Sequence, residues 1–417
     1  MNDAAPVNWI ENSVGDLFLL DSGAAPIGFR PEDLSGPILV FGANGPIGSA
    51  DADNFGPGYL VGRVGAVGSI TRIEGRVWAS DNTLTATPRP HRCDYRFAEH
   101  LLHFLNPARL STMTAQPLIT QGNLTKLPAT VPTDLSEQSR IAAVLDTVDE
   151  AIAKTEAVIA KLKQVRAGLL HDLLTRGLDE HDQLRDPIAH PDQFKDSPMG
   201  RIPREWEVST VGQLELQIID GDRGSNYPNE SQLSDQGFCV FLNNKNIVDG
   251  SIDFSAAQFI SEERDSLLGK GKLTLCDIVI TTRGTVGNIA LFGDLHPHQH
   301  VRINSGMIIL RAYESIFVPQ FFVALWKFLF PLEYRRLSSG SAQPQFPIRD
   351  MQQFRLLVPK RLEQERILSA STSAESTLAQ EHRTLGKLEV LKSGLMNDLL
   401  TGRVRVPESI SAGDSQS

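Results

Sequence analysis

The stretch 137–175 recurs at 363–401, 226 positions later and without a gap. Glu137-Gln138-x-Arg140-Ile141 answers Glu363-Gln364-x-Arg366-Ile367, and Asp172-Leu173-Leu174-Thr175 answers Asp398-Leu399-Leu400-Thr401. A repeat of this length restricts the chain to two related halves, each closed by the same element. Stepping alternately by four and three through the first copy meets Ile141, Leu145, Val148, Ile152, Thr155, Ile159, Leu162, Arg166, Leu169 and Leu173, a heptad seam interrupted at Thr155 and Arg166. The second copy gives Ile367, Ser371, Ala374, Leu378, Glu381, Leu385, Leu388, Lys392, Leu395 and Leu399. Glu381 and Lys392 fall in the same slots as the first interruptions, and only Ser371 is new. Polar residues within a seam more often fix register than add stability. At about 1.5 Å per residue each helix spans on the order of 50 to 60 Å. A seam needs a partner and the chain supplies one, so an intramolecular pair is expected. Antiparallel packing is favoured, because each half places its variable part before its helix and the two parts then stand at opposite ends.

Anchors outside the helices extend the repeat. Trp9, Val14-Gly15 and Leu17 answer Trp206, Val211-Gly212 and Leu214; Gly65-x-Val67-Gly68-x-Ile70 answers Gly284-x-Val286-Gly287-x-Ile289. Ala115-Gln116-Pro117 answers Ala342-Gln343-Pro344, and Val131-Pro132-x-x-Leu135 answers Val358-Pro359-x-x-Leu362. The offsets grow from 197 through 219 to 227, which places about 22 extra residues before the second Gly-rich turn, within 225–275. Two heads on one scaffold with different loops are suited to different targets. Short strands punctuated by glycine are expected at 59–64, 69–73 and 76–79, and again at 239–242, 277–282, 289–292 and 307–310, with a buried helix over 318–330. The expected fold is α+β: a strand-rich head over 1–133, a long helix over 134–178 and a connector over 179–205 carrying Pro187, Pro191, Pro198 and Pro203. A second head over 206–360, a second long helix over 361–404 and a disordered tail over 405–417 complete it.

Composition bounds the rest. The chain of 417 residues is long enough for two or three cores. Cys93, Cys239 and Cys276 form neither a metal spacing nor a disulfide framework, and no signal peptide or membrane-length apolar run is present, so a cytoplasmic protein is expected. A formal net charge of −10 argues against phosphate neutralisation as the main source of affinity, yet much of the acid lies in the helices and connector. The first head is locally basic, with Arg63, Arg72, Arg76, Arg89, Arg92 and Arg96 close in sequence.

Catalytic motifs are missing. There is no phosphate-binding Gly-x-x-x-x-Gly-Lys-Ser/Thr, no dinucleotide fingerprint and no Asn/Asp-Pro-Pro-Tyr/Phe run of the kind that positions an amino group for methyl transfer. Gly42-Ala43-Asn44-Gly45 reads as a turn at a strand end, and His296, His298 and His300 as a solvated loop without further metal ligands. The polar residues that stand out sit on or near Gly-rich turns. Arg63 and Arg283 adjoin glycines that permit close backbone approach, so a guanidinium there could reach phosphates or a guanine edge. Asn82-Thr83 and Asn304-Ser305 recur at similar places and could pair with base edges; Gln116 and Gln343 precede prolines ahead of each helix. With Asn44, Arg72, Arg76 and Lys245 these form the candidate DNA-binding set. For each, a capped turn or a surface polar group is the competing interpretation.

Two variable heads, each followed by a Val-Pro-x-x-Leu…Glu-Gln-x-x-Ile helix ending Asp-Leu-Leu-Thr, resemble the specificity subunits of type I restriction-modification systems. The connector Phe194-Lys-Asp-Ser-Pro-Met-Gly200-Arg-Ile-Pro203-Arg-Glu-Trp206 is similar to that family's approach to its second target-recognition domain. The resemblance covers nearly the whole chain. The first head departs from it, with Pro6-Val7-Asn8 before Trp9 where Gly-x-Ile-Pro is expected. The resemblance implies a non-catalytic subunit whose two heads grip the halves of a bipartite, asymmetric DNA site while the helices act as a ruler. It implies docking of two methyltransferase subunits and of two restriction-translocase subunits, which use S-adenosylmethionine, ATP and magnesium while this chain binds no cofactor. Alternatives are a recognition subunit of a modification-only or other phage-defence methyltransferase, and a coiled-coil scaffold that binds proteins instead of DNA.

Overall fold

The computed structural model describes residues 6–112, 117–214, 216–293, 297–312, 316–338 and 345–409. The chain forms two compact units, one made of 1–159 with 380–417 and the other of 160–379. Both long helices, Leu135–Arg176 and Arg361–Leu399, pass from one unit into the other.

Within each unit the helices pair in opposite directions. In the first unit Asp149 meets Lys392 at 2.6 Å, and in the second Arg166 meets Glu375 at 2.5 Å. These pairs are equivalents under the 226-residue repeat, 149 with 375 and 166 with 392. Two of the polar slots of the seam, Arg166 and Lys392, therefore carry cross-helix ion pairs. All seam positions named above are buried or half-buried, while most residues between them are exposed.

The heads repeat one architecture. In the first, an antiparallel sheet runs in the order Phe18–Ser22, Thr83–Pro88, Gly58–Gly62, Ile70–Ile73; in the second the order is Leu216–Asp220, Met307–Ala312, Ile278–Thr281, Ile289–Leu291. A second sheet in each contains one parallel pair, Ile38–Gly42 with Trp78–Ala79 and Cys239–Leu242 with Val301–Ile303. A two-stranded ribbon closes each head onto its helix, Trp9–Ser13 with Pro128–Pro132 and Glu207–Thr210 with Arg355–Val358. The extra residues of the second head fall between Asp220 and Ile278, a span that holds the Ile247–Val248/Ser251–Ile252 hairpin and the helix Glu262–Leu267, while its strand Gln258–Ile260 pairs antiparallel with Cys239–Leu242 as Gly45–Ala50 does with Ile38–Gly42 in the first head. Gly42 to Gly45 is a hairpin turn, as read from the sequence.

Each core joins three parts of the chain. The first packs Phe18, Tyr59, Phe97 and Leu101 against Ile141 and Leu145 from the first helix and Leu399 and Leu400 from the second. The second core packs Trp326, Phe322 and Phe354 against Ile367 and against Leu173 and Leu174. Full burial of one such leucine contributes about 1.5–3 kcal/mol, so apolar contact is a large part of what holds each head to both helices. The repeated glutamine adds direction. Gln138 accepts from the Asp94 N–H at 2.7 Å and donates to the Arg92 and Pro132 carbonyls; Gln364 accepts from the Val318 N–H at 2.9 Å and donates to the Ile316 and Pro359 carbonyls. Each glutamine thus ties the start of a long helix to the start of its own head's helix, Tyr95–Leu105 or Pro319–Leu337.

The connector is ordered, and one boundary, the start of the tail, differs from the sequence expectation. The connector contains a hairpin, Phe194–Ser197 with Gly200–Pro203, whose Phe194 and Ile202 are buried. The ordered chain also runs past 405: Val406 is buried in the first core and Arg405 is paired to Glu137, because the first head needs a cover that the connector supplies only to the second. Residues 410–417 lie outside the described residues.

The Gly-rich turns give a clean test of packing. Gly65 and Gly68 both have left-handed φ, 82° and 78°. A Cβ on Gly65 would meet nothing within 4 Å, whereas one on Gly68 would lie 2.4 Å from the Ala108 nitrogen. Both alanine variants should therefore be destabilised by backbone strain. Gly68→Ala should lose about 1–3 kcal/mol more than Gly65→Ala from overpacking, measured by urea denaturation; equal losses would show that the contact with 108 is easily relaxed.

Candidate nucleic-acid interface

In each head the two sheets deliver polar loops to the same end. In the second head the ends of Leu216–Asp220, Cys239–Leu242 and Ile278–Thr281 meet the turn before Met307–Ala312. The Thr282 and Arg283 N–H groups both donate to the Gly306 carbonyl, at 2.8 and 3.2 Å, and the Asn304 N–H donates to the Leu242 carbonyl at 3.0 Å. The Asn244 amide donates to the Arg283 carbonyl. Arg283, Asn304, Ser305 and the exposed Lys245 are thereby gathered around one loop cluster. The first head repeats this with the Arg63 N–H donating to the Asn82 carbonyl at 2.8 Å and the Ser80 N–H to the Phe41 carbonyl at 3.0 Å, which places Arg63, Asn82 and the hairpin of Asn44 together. Arg63, Arg283 and Lys245 have no ion-pair partner among the described residues, so their charges remain available.

The geometry removes three candidates from this end. Arg72 lies on Ile70–Ile73 opposite Tyr59, at the far end of the sheet, where it stacks over Tyr95 and pairs with Glu74 and Glu99. Arg76 pairs with Asp53 at 3.0 Å beside the same far end. Thr83 is fully buried, its hydroxyl donating to the Ser80 carbonyl at 2.7 Å. The basic run of the first head is therefore dispersed by folding: Arg89 donates to the Gly15 carbonyl and Arg96 pairs with Asp146 on the long helix. Gln116 and Gln343 lie outside the described residues, as does His296. The residues that follow the two glutamines are placed alike, with the Ile119 N–H donating to the Arg63 carbonyl and the Phe346 N–H to the Thr282 carbonyl, both at 3.0 Å.

Sequence reasoning did not find Asp220, Arg223, Tyr227 and Gln345. A cavity of about 200 Å³ opens among Asp220, Arg223, Thr282, Arg283, Gln345 and Ile348. Arg223 donates to Asp220 at 3.1 Å and to the Ser305 carbonyl at 3.3 Å, and the Tyr227 hydroxyl lies 3.4 Å from the Ser305 Oγ. Asp222 accepts the Gly224 and Gly269 N–H groups at 2.8 Å, and these backbone hydrogen bonds, that of Gly224 foremost, hold its carboxyl below the usual carboxylate range. A mixed lining of guanidinium, carboxylate and amide offers donors and acceptors to a base edge and is poorly suited to phosphate alone. Arg223 and Tyr227 come from a loop that the repeat does not cover, so no collinear signal could reveal them.

Residues 6–164 match the type I restriction modification DNA specificity domain. Among individual relatives the chain is similar to the type I restriction enzyme MjaVIII specificity subunit of Methanocaldococcus jannaschii, 25% identical over 277 residues, 65% of this chain and 61% of that one. The match thus spans about three fifths of the relative's length. The fold is shared with a structure from a study of complex assembly and conformational transition of the type I R-M system (TM-score 0.63, 15% identity, 96% of this chain and 100% of that chain). It is shared also with the type I restriction-modification S subunit from M. genitalium (TM-score 0.54, 18% identity, 96% and 98%).

The loop cluster and the far end of the sheet make opposite predictions for DNA binding. Arg283→Ala should weaken binding of a cognate duplex by about 1–3 kcal/mol if the guanidinium reads a base, while Arg76→Ala should leave it unchanged. Fluorescence anisotropy over a salt series measures both; uniform weakening on all duplexes, with the salt slope reduced by about one, would instead make Arg283 a phosphate contact.

Proposed function

We propose that this chain is the address-reading subunit of a type I restriction-modification complex, in which each head reads one half of a bipartite, asymmetric DNA site and the paired helices fix the unread spacer. The carrying observation is the agreement between the repeat and the ion pairs: Asp149 with Lys392 and Glu375 with Arg166 obey one offset of 226 residues. Two-fold related pairs of this kind are what an antiparallel pairing of the two copies produces. Heads that share the order of their four-stranded sheet but differ in their loops support an asymmetric target. In this reading two methyltransferase subunits dock on the chain and two restriction-translocase subunits join them. S-adenosylmethionine, ATP and magnesium belong to those partners, and this chain binds no cofactor and carries out no reaction. The complex works in the cytoplasm; among the described residues no helix is long and apolar enough to cross a membrane.

Helices of 42 and 39 residues rise about 60 Å, enough to hold readers over half-sites separated by about one turn of B-DNA, 34–36 Å. Inserting one heptad at matched positions of both helices adds about 10 Å of rise, so the preferred spacer should lengthen by about three base pairs at 3.4 Å each while both half-site sequences stay the same. Mapping methylated bases genome-wide in cells carrying the insertion reads this out; altered half-sites with an unchanged spacer would refute the ruler.

A further inference from the structure

Beside each glutamine that fastens a helix to its own head stands a glutamate that reaches the segment following the other helix. Glu137 and Glu363 are the third residues of their helices, with side chains only 5% and 4% exposed. Glu137 receives Arg405, Nε at 2.5 Å and Nη2 at 2.6 Å, from the segment that follows the second helix. Glu363 receives Arg185 at 2.6 Å from the segment that follows the first helix, together with the Leu178 N–H and the Trp206 Nε1, both at 3.0 Å. Arg405 also donates to the Val7 carbonyl at 2.9 Å, and Arg185 to the Arg176 carbonyl at 3.3 Å.

We propose that Glu137–Arg405 and Glu363–Arg185 are register latches, which set the axial offset of the two long helices and through it the spacing of the half-sites. The proposal rests on the ruler reading for its consequence in DNA, but the latch itself is a property of the folded chain.

Two observations carry it. The first is that the cations do not obey the repeat. The acids are 226 positions apart, whereas Arg185 and Arg405 are 220 apart, so simple duplication would have put the second arginine at 411, where the chain has Ser411. The same ion pair is rebuilt by two different routes, one through the connector and one through the tail, and a contact reached twice independently points to a requirement for the contact itself.

The second is what the seam leaves unspecified. A heptad seam of mostly Leu, Ile and Val can slide by seven residues and bury similar side chains, a shift of about 10 Å. The ion pairs within the seam resist such a slip weakly, since Asp149, Lys392, Arg166 and Glu375 have side chains 29–50% exposed. A bond between the first turn of one helix and the chain just past the end of the other forms at one offset only. After a slip, a carboxylate in a buried site would lack its cation, which is strongly disfavoured. The latches thus act as positioning groups, and neither touches the loop cluster assigned to DNA.

The test uses the full chain with spin labels on cysteines introduced at the exposed Val158 and Val390, in a Cys276→Ser background that leaves only the buried Cys93 and Cys239. Double electron–electron resonance should give one narrow distance for the parent. Arg405→Glu, which faces Glu137 with like charge, should broaden it or add a population displaced by about 10 Å, and Arg405→Lys should restore the single distance. Arg405→Ala, which removes the cation without adding repulsion, serves if the glutamate variant does not fold. A lowered melting temperature with an unchanged narrow distance would overturn the latch and leave the pair as an ordinary anchor. In the complex assembled with its methyltransferase subunits, the displaced register should also relax the spacer preference by about three base pairs. A displaced register with an unchanged spacer would preserve the latch and remove the ruler.

Discussion

A heptad seam on a long helix cannot stand alone in water, and in this chain the partner is its own duplicate. That constraint organises everything else. Because the copies run in opposite directions, the start of one helix lies beside the end of the other in each unit, and both cores are assembled there: Ile141 with Leu399 and Leu400, Ile367 with Leu173 and Leu174. The heads therefore do not hang from flexible tethers. Each is packed onto two helices at once, and a glutamine with three hydrogen bonds, Gln138 or Gln364, fixes its orientation on its own helix.

With the scaffold held so firmly, variation can be confined to loops at one end of each head. The four-stranded antiparallel sheet has one strand order in both heads, yet the second head holds an additional hairpin and a short helix between Asp220 and Ile278. Those insertions add no new layer to the core that joins the helices; they pack beside the second sheet, around Val240, Leu242 and Ile303. One frame with unlike loops is the physical condition for two readers of different sequence that share one docking geometry.

What the sequence made legible follows from which signals are periodic. The helices, their antiparallel pairing and the position of the extra residues were readable because heptad spacing and collinear repeats survive without knowledge of the fold. Strands such as Cys239–Leu242 and Ile278–Thr281 were readable as short apolar or β-branched runs. Phe18–Ser22 and Thr83–Pro88 were not, since neither is apolar throughout and their burial is decided by neighbours far along the chain. The candidate site was half legible. Arg63 and Arg283 stood out beside repeated glycines and are indeed brought to equivalent loop ends, whereas Arg72, Arg76 and Thr83 were equally prominent in sequence and fold away into ion pairs or the core. Arg405 was assigned to a disordered tail because a polar, Ser-rich stretch gives no hint that one guanidinium in it meets a buried carboxylate.

The acidic balance of the chain also takes on a different meaning once the pairs are placed. Arg72, Arg76, Arg96, Arg302, Arg311, Arg336 and Arg355 all face carboxylates within their own unit, so most head arginines contribute to folding and little to an external field. The cations left without an ion-pair partner in the proposed interface are few, Arg63, Lys245 and Arg283 among the described residues. Since each neutralised phosphate contributes about −0.9 to the salt slope, so small a set gives this chain by itself a shallow dependence on salt and weak nonspecific affinity. Under the function proposed above, a subunit built this way would discriminate through base edges and leave bulk attraction for DNA to its partners.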